Sequence, residues 1–208
     1  MIRLKMCGMQ TVADVEICAA AGADALGFIF ASGPRRLAPA DAAALTKAVP
    51  AGIMRIGVFA DTSRQRIEEA LESCALDALQ FAGSETPEFC GSFGMPTLLV
   101  ARECAPARDV LARARAIAVL ADARNERVHG GSGVRVSDDL AARIRSGSSA
   151  PFILAGGLTP QNVGHAIRTL RPNGVDVRSG IERHGRKDPE LVGAFAQAVM
   201  EAYDVVRA

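Results

Sequence analysis

The chain has no tryptophan, one tyrosine and only 4% aromatic residues in 208. It therefore offers no aromatic platform on which single-stranded bases could stack. It also lacks an excess of either charge: 24 Lys plus Arg against 23 Asp plus Glu leave a formal net charge of +1. Such a balance leaves no electrostatic footprint for nucleic acid or for an anionic membrane surface. No apolar run approaches the roughly 18–20 residues that span a bilayer. The opening Met-Ile-Arg-Leu-Lys leads into a strand pattern without a signal-peptide apolar stretch, so a cytoplasmic location is expected. The cysteines (Cys7, Cys18, Cys74, Cys90, Cys104) are odd in number and form no C-x-x-C pair, and His129, His165 and His184 are scattered. Nothing has zinc-site spacing. Most of the cysteines read as small buried hydrophobes of a reducing compartment, and no metal or other cofactor is expected.

Apolar residues are plentiful, at 49% of the chain with a mean hydropathy of +0.16. That suits one sizeable core and, at this length, a single domain over 1–208. Short apolar runs at 2–7, 24–30, 54–59, 78–81, 96–100, 117–121, 152–155 and 175–177 read as eight strands. Several are almost continuously hydrophobic, as strands buried on both faces should be. Amphipathic stretches lie between them. Thr11 is placed to cap a helix that Gly22 stops, Ser63 to open another, and Pro39, Pro106, Pro160 and Pro189 sit near predicted helix starts. Strand and helix alternating eight times predict a compact (β/α)₈ barrel with a parallel sheet and short loops. Asp24-Ala-Leu-Gly-Phe28 is echoed by Asp77-Ala-Leu-Gln-Phe81 two units later.

In such a barrel, chemistry belongs to the C-terminal strand ends and the loops after them. Cys7 ends the first strand, Asp122 ends the sixth, and Asp176 lies in the eighth. Cys7 reads either as a small buried hydrophobe or, from its place at the barrel mouth, as a residue with a chemical task, and Asp122 either as a cap of the following turn or as a carboxylate with a partner or a task. Gly130-Gly-Ser-Gly133 follows strand six, Gly156-Gly157 strand seven, and Ser179-Gly180 strand eight. Glycine loops after strands seven and eight, with a short helix near Ser179, suit a phosphate group. The expected phosphate ligands are Gly131, Gly133, Gly156, Gly157, Ser179 and Gly180, and the expected partner is a phosphorylated small molecule. Arg35 and Arg36, on the rim after strand two, suit a substrate carboxylate; one of the two reads as a solvated surface arginine.

Taken in order, Lys5-Met-Cys-Gly8, Ala21-Gly-Ala-Asp-Ala-Leu-Gly-Phe28, Pro34-Arg35, Gly57-Val-Phe59, Asp122, Gly130-Gly-Ser-Gly133, Ala155-Gly-Gly-Leu-Thr-Pro160, Val175-Asp-Val177 and Ser179-Gly-Ile-Glu182 resemble the phosphoribosylanthranilate isomerase family of tryptophan biosynthesis. The resemblance covers essentially the whole chain. It implies an Amadori rearrangement of an aminoaldose to an aminoketose without a cofactor. It also implies Cys7 as general base, Asp122 as general acid, Asp176 as a residue orienting the substrate, and Arg35 at the anthranilate carboxylate. A monomer or a homodimer is expected. The chain departs from the family pattern at three places. Gln80-Phe-Ala-Gly83 replaces the usual Gln-Leu-His-Gly, Val134-Arg-Val136 replaces Lys-Thr-Phe, and Arg178 stands where serine is common. Two other readings stay open: a sister isomerase of an imidazole-bearing aminoaldose, which normally has aspartate at position 7, and a barrel that only binds a phosphosugar.

Overall fold

The computed structural model describes residues 1–101, 105–122 and 138–207. The expected phosphate ligands Gly131 and Gly133, together with Val134-Arg-Val136, Cys104 and His129, lie outside the described residues. Eight parallel strands close on themselves in sequence order: β1 (Leu4–Cys7), β2 (Ala25–Ile29), β3 (Met54–Phe59), β4 (Ala78–Phe81), β5 (Thr97–Ala101), β6 (Ala116–Asp122), β7 (Phe152–Ala155) and β8 (Gly174–Val177). Each strand is followed by a helix: α1 (Val12–Ala20), α2 (Pro39–Lys47), α3 (Arg64–Ser73), α4 (Pro87–Gly91), α5 (Arg108–Arg113), α6 (Asp138–Gly147), α7 (Val163–Leu170) and α8 (Pro189–Arg207). The strands lie within a residue or two of the apolar runs that predict them. None of the described helices is long and apolar enough to cross a membrane.

The side-chain period of two sorts each strand into two cores. One set fills the barrel, where Ile2, Ile56, Leu98 and Ile153 interleave with Ala25, Ala78, Ala118 and Ala155. The other set, including Met6, Leu26, Phe28, Leu79 and Phe152, packs outward against the helices. Above the interior layer sits a small cluster of Cys7, Ile29 and Val58.

The sequence echo has a physical cause. Asp24, just before β2, accepts the backbone N–H groups of Arg3 and Leu4 through Oδ2 (2.7 and 2.9 Å). Asp77, just before β4, accepts the Arg55 N–H in the same way at 2.8 Å. Each carboxylate clasps the start of the preceding strand, where the ladder leaves donors unpaired.

Thr11 caps α1 through a reciprocal capping box with Asp14. Pro39 and Pro189 open α2 and α8, but Pro106 falls in the irregular stretch before α5 and Pro160 in the turn before α7. Those helices begin only where an extended or turn residue has redirected the chain. After β8 a short 3₁₀ turn (Ser179–Ile181) leads into a two-stranded hairpin, β9 (Glu182–Arg183) and β10 (Arg186–Lys187), which is not part of the barrel.

Candidate active site

The barrel register brings four residues flush across adjacent strands. Asp122 on β6 pairs with Ala155 on β7, Ala155 with Asp176 on β8, and Asp176 with Lys5 on β1. Cys7 stands two residues beyond Lys5 and so on the same inward face. β1 and β6 are separated around the ring by β7 and β8. The thiol-bearing and carboxylate-bearing strand ends thus address the mouth from well-separated positions.

A cavity at this end is lined by Asp122, Gly156, Gly157, Asp176, Ser179 and Gly180, and by Arg178. Six of the sequence-predicted residues therefore meet around one space. The loops after β7 and β8 converge because Gly180 has no side chain: a Cβ there would lie 1.8 Å from the Leu158 carbonyl oxygen. Nε of Arg178 is buried and has no hydrogen-bond partner among the described residues.

Cys7, at the end of β1, and Arg35, after β2, are not among the residues that line this cavity. Cys7 is 5% exposed, and its thiol occupies space left by Gly27 on β2, where a Cβ would come within 2.6 Å of Sγ. Arg35 is held by Glu182, Nε donating to Oε1 at 3.0 Å and the terminal nitrogen to Oε2. Arg36, the next residue, is exposed.

Charge gathers around the thiol. Lys5, with no exposed surface, donates from Nζ to Asp176 Oδ1 at 2.9 Å. Burial pushes the Cys7 thiol up from its ordinary value; Lys5, Lys187 and Arg178 pull against that shift, while Asp176 adds to it. Burial likewise lifts Cys18 and Cys90, both to about 12, and these remain packed thiols away from the mouth. Among the described residues no cluster of His, Cys, Asp and Glu could hold a metal ion.

Sequence reasoning missed Lys5, Lys187 and Glu182 as parts of the site. Lys5 did leave a signal, as a charge inside an apolar strand with the same parity as Cys7. Gln80 on β4 is also buried, and its Oε1 lacks a hydrogen-bond partner among the described residues.

A closed parallel barrel with a carboxylate and glycine loops around a cavity at one mouth defines a (β/α)₈-barrel protein with a candidate active site at the C-terminal strand ends. The family model of N-(5′-phosphoribosyl)anthranilate (PRA) isomerase matches residues 4–198, and the chain belongs to that family. The N-(5′-phosphoribosyl)anthranilate isomerase of Desulforamulus reducens is 37% identical over 206 residues, 97% of this chain and 96% of the relative. Among solved structures, the phosphoribosyl anthranilate isomerase of Thermus thermophilus superposes with a TM-score of 0.80 at 32% identity, covering 96% of this chain and 99% of that one. A further phosphoribosyl anthranilate isomerase, solved in complex with reduced 1-(o-carboxyphenylamino)-1-deoxyribulose 5-phosphate, gives 0.78 at 27% identity, covering 97% of this chain and all of that one.

Proposed function

We propose that this chain, as one barrel domain in the cytoplasm, carries out the isomerisation for which its family is named. N-(5′-phosphoribosyl)anthranilate becomes 1-(2-carboxyphenylamino)-1-deoxyribulose 5-phosphate, a step of tryptophan biosynthesis. Asp122 is the general acid and Cys7 the general base. Protonation of the furanose ring oxygen by Asp122 lets the C1′–O bond break as the nitrogen lone pair forms a C1′=N⁺ bond. Cys7, as thiolate, then takes the C2′ proton, and the C–H electrons neutralise the iminium to give an enolamine. That enol gains a proton at C1′ and loses its hydroxyl proton, leaving the ketone. Atoms and electrons balance without a cofactor.

The observation that carries this reading is the register series from Asp122 through Asp176 to Lys5, with Cys7 one pleat above. Burial holds the resting thiol protonated, and the iminium formed beside it adds the positive charge that favours the thiolate. The phosphate takes the loops at Gly156, Gly157, Ser179 and Gly180, with Arg178 as an added cationic donor. Arg35 uses two of its five N–H donors on Glu182, and its remaining donors, with exposed Arg36 beside it on the same loop, meet the substrate carboxylate.

The test is turnover of phosphoribosylanthranilate by the purified chain, followed by the change in fluorescence. Conversion supports the isomerase; binding of the phosphosugar without conversion favours the binding barrel.

A further inference from the structure

The hairpin β9–β10 stands outside the barrel, yet its last residue is one of the most deeply buried charges in the chain. The Lys187 side chain is 1% exposed. An ammonium has three N–H donors and no acceptor. All three are used: Nζ donates to the Cys7 carbonyl at 2.6 Å, to the Arg178 carbonyl at 3.1 Å and to Glu182 Oε1 at 3.0 Å. Glu182, itself 4% exposed on its side chain, also accepts from Arg35.

The position of these contacts is informative. The β1–β8 ladder runs from Leu4 with Val175 to Met6 with Val177 and stops there. Cys7 and Arg178 are the next residues on the two strands. Lys187 thus bridges the two chains where backbone pairing ends, at the residue bearing the thiol and the residue preceding Ser179-Gly180. A lysine that only closed a surface hairpin would keep its head in water, because burying an ammonium is costly unless every donor is met.

We propose that Lys187 is a positioning residue for the isomerisation: it fixes the thiol of Cys7 relative to the phosphate loop and holds a positive charge beside that thiol. The inference rests on Cys7 being the base. The charged groups facing Cys7 are Lys5 on its own strand, Asp176 from β8, Arg178 after β8 and Lys187 from β10. The three cations favour the thiolate and Asp176 opposes it, so loss of one cation makes the thiolate harder to form.

The test is Lys187→Gln, assayed for kcat, KM, melting temperature and the pH dependence of kcat/KM. Positioning predicts a kcat lower by about 10-fold or more and a KM changed by less than about 3-fold, with the acid limb moved to higher pH. A lowered melting temperature with kcat and the acid limb unchanged means a structural role only and overturns the proposal. If Lys187→Gln does not fold, Glu182→Gln carries the test with the opposite sign: removing the anion beside Lys187 should move the limb to lower pH, and an unmoved limb overturns it. Cys7→Ser is assayed alongside. Wild-type turnover by that variant would locate the failure in the base assignment, and the inference would fall with it.

Discussion

Lys5 Nζ donates to Asp176 Oδ1 at 2.9 Å across the β1–β8 seam, with the lysine fully buried and the aspartate side chain 10% exposed. Burial alone would push the ammonium down, but Asp176 and Cys7 outweigh it and raise Lys5 above its ordinary value. The Lys5 ammonium therefore keeps its charge at neutral pH, buried on the floor of the site.

The pair predicts a non-additive double variant. Removing one partner strands a buried charge, so Lys5→Met should lower unfolding stability by about 3–5 kcal/mol. Asp176→Leu should also destabilise the fold. The combination Lys5→Met with Asp176→Leu should cost clearly less than the sum, as read by urea unfolding. Additive losses would show that the two charges are not coupled.

Gly27 makes a second prediction. Its Cβ would meet Cys7 Sγ at 2.6 Å, so Gly27→Ala must displace the thiol or the strand. A displacement of about 1 Å can cost on the order of 10²-fold in rate. We expect kcat to fall by about 10-fold or more, with inhibition by inorganic phosphate kept within about 3-fold, because the proposed phosphate loops follow β7 and β8. An unchanged kcat would place the base elsewhere.

Much of this was legible from the residues alone. The eight strands announce themselves as apolar runs because both faces are buried, and Cys7, Asp122 and Asp176 stand out at strand ends or as charges within such runs. The hairpin β9–β10 escaped because Glu182-Arg183 and Arg186-Lys187 are charged and only two residues long, which reads as a solvated loop. Lys187 and Glu182 acquire meaning only through contacts across the fold, from Lys187 to Cys7 and from Glu182 to Arg35, which no local pattern encodes. For the same reason, the hold of Glu182 on Arg35 could not be read from the residues around either.

The thiol sets the sign of the pH dependence. A group pushed up by burial is protonated in the resting enzyme at neutral pH, and its basic form is gained as pH rises. kcat/KM should therefore climb through the neutral range and still be climbing at about pH 8.5, the ordinary thiol range. A plateau reached below pH 7 would mean that Lys5, Lys187 and Arg178 outweigh burial in the free enzyme.

The kinetics of single-site variants decides whether Cys7 and Asp122 act as base and acid on one substrate. General acid–base groups typically contribute about 10²–10⁴-fold each. Cys7→Ser and Asp122→Asn should each lower kcat for phosphoribosylanthranilate by at least about 10²-fold while leaving phosphate inhibition nearly unchanged. A hydroxyl is a far poorer base than a thiolate, and an amide cannot deliver the ring-oxygen proton. If wild type turns the substrate over and both variants keep its rate, the assignment of acid and base is contradicted.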